Sequence, residues 1–280
     1  MSSTRFPLQA LAVAVTVALA LTATATANAA AVIVRAEGAN AAAIQATVDT
    51  FRTSLGANNG VGPPAATGRR EINWDGVPDT AAAPNFLPPN FFNTTSPRGV
   101  VFNTIQEVNS GSLNDFIVSA DDTNATLTPV RFADINAQYS SIFTTFSAQR
   151  LFTPRNSRTM DVNFFVPGTT TPAAVTGFGV VFADVDGTTG ASRTSLRFID
   201  TNGNIAAAVS SGAFDNGLSF VGVLFNAGER ITRVVIVSGT DPLVASSVDG
   251  TNGVDVVAMD DFIYAEPQTL FTVFADGFEN

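Results

Sequence analysis

Apolar positions change period twice along the chain. From Leu8 to Leu21 they run on without a charge. Between Asn40 and Gly56 they recur at spacings of four, three and four, as Ile44, Val48, Phe51 and Leu55, which predicts an amphipathic helix. Asn40 is placed to cap that helix and Gly56 to stop it. A Gly/Pro/Ala/Asn-rich stretch from Asn58 to Gly68 has neither charge nor period and reads as a linker. Beyond it the pattern becomes short β-type runs separated by turn residues. The predicted strands are 70–74, 100–103, 116–120, 130–133, 161–166, 175–183, 195–200, 205–209, 219–225, 231–237 and 254–264. About ten strands at close spacing, with no second helical period among them, predict an antiparallel sandwich rather than a parallel α/β fold. The clearest turn is Thr201-Asn202-Gly203-Asn204, since Asn-Gly accepts the positive φ that a hairpin needs. The stretch 76–99 holds five prolines together with Phe86, Leu87, Phe91 and Phe92, which predicts an ordered loop against a sheet face or edge.

The first segment reads as an export signal. Arg5 precedes an apolar run too short to span a bilayer, and Ala27-Asn28-Ala29 offers a small-residue cleavage site before Ala30. The expected organisation is therefore a signal peptide over 1–29, a helix and linker over 30–68, a β-sandwich over 69–266, and a tail over 267–280. The expected location is secreted or periplasmic, as a monomer with no membrane span after cleavage.

Composition narrows the chemistry. The 280 residues include no His, no Cys and no Lys; all 14 basic side chains are Arg, against 24 Asp and Glu, for a net charge of −10. That excludes a Ser-His-Asp triad, a Cys nucleophile, a lysine Schiff base and a zinc site built on His or Cys. The acidic balance gives no electrostatic case for binding nucleic acid. About 250 residues can bury a core without disulfides.

What remains is oxygen chemistry. Calcium takes clustered carboxylates, and two clusters qualify. One is Asp184-Val185-Asp186-Gly187 at the end of a long apolar run, where alternation puts both carboxylates on one side; the same residues also read as ordinary turn chemistry at a strand end. The other joins Glu71 and Asp75 of the first body strand to Asp260 and Asp261 of the last. Strict alternation puts Val257, Met259, Asp261 and Ile263 on one face and Ala258, Asp260, Phe262 and Tyr264 on the other. Each acid then sits among apolar neighbours and must be paired or metal-bound. The candidates are an ion pair with Arg69 or Arg70, a calcium ion, and catalysis. Trp74, the single Trp beside 23 Phe and two Tyr, is either a core residue or a sugar platform with Asn73, Asp75 and Arg70. Glycoside hydrolysis needs only two carboxylates, and Glu71 and Glu107 lie nearest to both a strand and the proline-rich loop.

The segments Arg69 to Gly76, Ser96 to Phe102, Phe164 to Thr170, Gly177 to Asp186 and Val256 to Tyr264 together resemble an uncharacterised family of secreted bacterial proteins, over roughly residues 41–266. Some of its relatives look like proteins carrying a PEP-CTERM sorting tail, which this chain lacks. The closing strand is also similar to the last strand of jelly-roll modules, in which the first and last strands are often neighbours that hold a structural calcium. The resemblance implies an exported sandwich and supplies no activity. The expectation is thus an all-β, antiparallel jelly-roll-type β-sandwich with one N-terminal α-helix. It would be non-catalytic and calcium-stabilised, binding glycan or acting at the cell surface or in matrix. The alternative is a carboxylate-dependent glycan-active enzyme, a hydrolase or lyase.

Overall fold

The computed structural model describes residues 31–104, 115–187 and 194–270. The expected signal peptide, Glu107 and the end of the tail lie outside them. Strands and bridges occupy 38% of the described residues. In order they are β1 (Val32–Gly38), β2 (Arg69–Ile72), β3 (Val100–Thr104), β4 (Phe116–Val118), β5 (Phe152–Pro154), β6 (Thr159–Phe164), β7 (Ala173–Ala174), β8 (Gly177–Val185), β9 (Ser195–Asp200), β10 (Ile205–Ser210), β11 (Phe214–Leu224), β12 (Ile231–Val237), β13 (Ala258–Ala265) and β14 (Gln268–Thr269). Helix α1 (Ala41–Leu55) lies between β1 and β2.

Two antiparallel sheets form the body. One runs β1-β11-β8-β13-β5-β4, with β2 also on β13; the other runs β10-β9-β12-β6-β3. First and last body strands are neighbours as expected, with Ile72 opposite Phe262 and Arg70 opposite Tyr264. The main core lies between the sheets and draws Phe178, Phe182, Phe262 and Tyr264 from the first, and Phe102, Val162, Phe198 and Val234 from the second.

The outer face of the first sheet carries a second apolar layer. Ile44, Val48 and Phe51 of α1 pack there with Val181, Phe220 and Ile263. This double coverage explains why β8 and β13 are buried at every residue and read as continuous apolar runs. The second sheet faces solvent on its outer side, and β6 accordingly alternates half-buried with buried positions.

Helix α1 begins and ends as predicted: the Asn40 side chain accepts from the Ala43 N–H at 3.2 Å, and Gly56 leaves the helix at φ 95°. Strand β1 is absent from the predicted set, because its Val-Ile-Val-Arg-Ala-Glu run sits directly before a stronger helical period; it pairs with β11 from Val32–Leu224 to Gly38–Leu218. The predicted strand over 130–133 is not one. Val130 makes an isolated bridge to Ala120, and Arg131 and Phe132 take φ of 51° and 62° as the chain turns. The β9–β10 hairpin closes as expected, with the Asp200 carboxylate accepting from the Asn202 and Asn204 N–H groups, both at 2.8 Å, and Gly203 at φ 83°. The loop 76–99 is ordered and places Leu87, Phe91 and Phe92 in the main core.

Candidate metal centre

Trp74 follows β2 at φ 65° and is 1% exposed. Its ring stacks on Phe152 at 4.0 Å and meets the edges of Phe92 and Phe262. The expected sugar platform at Trp74 is therefore corrected: no face of the indole is open to a ligand. Arg70 is also withdrawn from that site. It is fully buried, its Nε and Nη2 each 2.7 Å from a Glu266 carboxylate oxygen, and its Nη1 reaches the carbonyls of Gly60, Gly62 and Pro97. Asp75 accepts from the Arg150 N–H at 3.1 Å, and burial pushes its pKa upward. Of the expected quartet only Asn73 stays exposed.

Asp260 and Asp261 break the alternation on which their reading rested. Met259 pairs with Phe182 and Phe262 with Val180, so both acids oppose the single residue Val181. This is a β-bulge, which re-aims side chains and restarts the strand in the opposite phase. Met259 and Phe262 consequently both face the main core, three positions apart. The two carboxyls turn instead toward α1 and the segment around Phe146. Asp260 accepts from the Phe146 N–H at 2.7 Å and from Ser147 Oγ at 2.9 Å. Asp261 Oδ2 lies 2.8 Å from Arg52 of α1. The partner is thus Arg52, neither Arg69 nor Arg70. Glu71 lies 3.0 Å from Arg52 and 2.6 Å from Arg69, so this cluster is charge-balanced by guanidinium groups rather than built for a cation. Burial, then the neighbouring Asp261 charge, raises the Asp260 pKa well above the usual range; burial also raises that of Asp261.

The Asp184 and Asp186 cluster has the opposite character. The register of β8 against β11 shifts between Ala183 and Val185, and Asp184 takes φ 67°, a left-handed conformation that Asp tolerates better than most residues. From 65 residues downstream in sequence the 249–255 loop brings in Asp249. One carboxylate oxygen from each of Asp184, Asp186 and Asp249 lies within 4.8 Å of the others. Asp255 adds a fourth acid close by, its Oδ1 at 3.5 Å from the Asp186 N–H.

No arginine pairs with any of these four acids among the described residues. Asp184 is fully buried; its Oδ1 accepts from the Asn216 N–H at 2.7 Å, and its Oδ2 has no hydrogen-bond partner among the described residues. An ionised carboxylate oxygen stranded in this way is costly unless a cation meets it. Burial first, then the charges of Asp249, Asp186 and Asp215, push the Asp184 pKa up to about 8. The same two causes raise Asp186 to about 6 and Asp255 to about 7.

Of this set, Asp249 and Asp255 were missed from sequence. Their signal is the turn-rich Asp249-Gly250-Thr251-Asn252-Gly253 run, which alone reads as ordinary loop chemistry. No family model, curated protein or solved structure matches the chain, and the functional reading accordingly stands on this geometry.

Proposed function

We propose that the chain is an exported, non-catalytic β-sandwich module of jelly-roll order, stabilised by a calcium ion held by Asp184, Asp186 and Asp249. Jelly-roll order is supported by the strand pairing. The row β2-β13-β8-β11 faces β6-β12-β9-β10, so eight strands fall into two four-stranded rows, and the first and last of the eight in chain order, β2 and β13, are neighbours. Strands β1 and β3 extend the two rows. Export is supported by the charged start, apolar run and small-residue triplet at the N-terminus.

The observation that carries the calcium reading is Asp184: its carboxyl is buried with Oδ2 unpartnered among the described residues, and it supplies one of three carboxylate oxygens that converge within 4.8 Å. An all-oxygen donor set suits a hard cation, and adaptable coordination distances suit calcium better than magnesium, which demands near-ideal octahedral geometry. The cation would tie the β8 end to the 249–255 loop, the role a disulfide takes in other exported folds. The glycan-active enzyme loses support because Glu71 is engaged by Arg52 and Arg69.

Thermal unfolding in calcium and in chelator tests this. A ligand specific to the folded state adds about 2.7 kcal/mol at a hundredfold excess over its Kd. Calcium should raise the Tm, magnesium should raise it less, and Asp184→Asn should abolish the difference. An equal Tm in chelator and millimolar calcium sinks the reading.

A further inference from the structure

A second polar cavity shares no lining residue with the acidic cluster. It measures about 320 Å³ and opens between α1, the turn at 58–60, the end of β2 and the Phe146 segment. Arg52, Glu71, Asn73, Arg98, Phe146 and Asp261 line it. We infer that this cavity binds one neutral, polyhydroxylated ring, a single saccharide unit.

The β13 bulge builds the cavity. Because both acids point the same way, Asp260 is free to fasten the wall through the Phe146 N–H and Ser147 Oγ, while Asp261 lines the cavity itself. Asp261 is 2% exposed; one carboxylate oxygen meets Arg52, and its carboxyl also lies within hydrogen-bonding reach of the Asp260 carboxyl and of Ser147. Arg98 presents the complementary group. Its Nε is buried without a partner, and no carboxylate pairs with this guanidinium among the described residues. The lining thus sets carboxylate acceptors beside guanidinium donors, an arrangement that a group able to both donate and accept can meet.

Charge decides the ligand class. Two guanidinium groups and two carboxylates line the space, so neither a free cation nor an anion finds a net attraction. A hydroxyl donates to Asp261 and accepts from Arg98, and a ring bearing several satisfies both ends at once. Asn73, Asn58 and Gln45 add amides that donate and accept. The Phe146 ring, with the Arg52 guanidinium 5.6 Å from its centroid, supplies an apolar wall. The volume lies at the small end of ligand pockets, sized for one ring rather than an extended chain.

Trp74 provides the readout. Its indole N–H is bonded to the Asp260 carbonyl, next to Asp261, and it is the single Trp of the chain. Glucose, galactose, mannose, xylose and N-acetylglucosamine are titrated into the protein, in calcium and in chelator, by Trp emission and calorimetry. At least one should saturate, with or without calcium. Asn73→Ala, an exposed position whose loss leaves the fold intact, should weaken it about tenfold, and Asp261→Asn should weaken it further. Three outcomes overturn the inference: no neutral sugar saturating below about 100 mM, far weaker than millimolar affinity; equal binding by both variants; or saturation only by charged probes such as glucuronate or glucosamine. Should Asp261→Asn fail to fold, Asn73→Ala and Gln45→Ala carry the same test.

Discussion

The indole N–H of Trp74 donates to the main-chain carbonyl of Asp260 at 2.8 Å. The bond joins the residue that opens the 76–99 loop to the bulge of the central strand, where the sheet ladder is locally interrupted. A bulge leaves backbone groups without their ladder partners, and here a side chain from the main core supplies one. Trp74 therefore secures the bulge that aims Asp260 and Asp261.

Replacing Trp74 with Ala should remove that bond and the stack on Phe152 together. Large-to-small changes of buried aromatics cost about 3–5 kcal/mol. Urea unfolding should show a loss of that size, and the parent protein should emit in the blue with little quenching by acrylamide. A loss under about 1 kcal/mol, the range of surface substitutions, with strong quenching, would put the ring at the surface.

Arg70 and Glu266 form a fully buried bidentate pair that also gathers the carbonyls of Gly60, Gly62, Pro63 and Pro97. Breaking a buried pair by removing one partner costs about 3–5 kcal/mol, because the other charge is left uncompensated. Glu266→Gln and Arg70→Met should each reach that range in urea unfolding. The double variant should cost less than the sum of the singles, and strict additivity would contradict a direct pair.

Gly222 lies beneath α1. A Cβ placed there would come within 2.6 Å of the Phe51 ring, and one at Gly179 within 2.9 Å. The two glycines form the floor on which the helix seats its aromatic. Overpacking a well-filled site costs about 1–3 kcal/mol, so Gly222→Ala should lower stability by that amount. Adding Phe51→Leu should recover part of it; a neutral Gly222→Ala would mean the helix rides free of the sheet.

The parts of the fold that follow a simple period were legible in sequence. Ile44, Val48, Phe51 and Leu55 marked α1 and the face it buries, and Asn202-Gly203 marked the β9–β10 hairpin. The neighbouring of β2 and β13 also held. The failures lie where the period breaks. A bulge is one extra residue with no composition of its own, so alternation assigned Asp260 and Asp261 to opposite faces when they share one. The candidate metal centre was half legible: Asp184 and Asp186 stand in one strand end, whereas Asp249 arrives by a tertiary contact that no local spacing encodes. The choice of Arg52 over Arg69 or Arg70 depends likewise on where α1 docks.

The acidic cluster makes stability depend on pH with a definite sign. In chelator, Asp184, Asp255 and Asp186 keep their protons in the folded state up to about pH 8, 7 and 6, while the unfolded chain releases them near the ordinary value of 3.8. Between those limits the folded state binds more protons than the unfolded one, so stability falls as pH rises through the interval and levels off above it. Buried Asp260, also raised, acts in the same direction. Asp121 and Asp200, which are lowered, change ionisation below the interval and do not oppose the trend across pH 5–8. A cation reverses the sense at the cluster, because it requires these carboxylates ionised and binds more strongly as they lose protons. The expected result is a Tm that drops from pH 5 to pH 8 in chelator and a calcium-induced rise that grows over the same range. Asp184→Asn should flatten both dependences. A chelated protein whose Tm climbs from pH 5 to pH 8, or a calcium increment equal at both ends, would show that the cluster is neither strained by its own charge nor relieved by the ion.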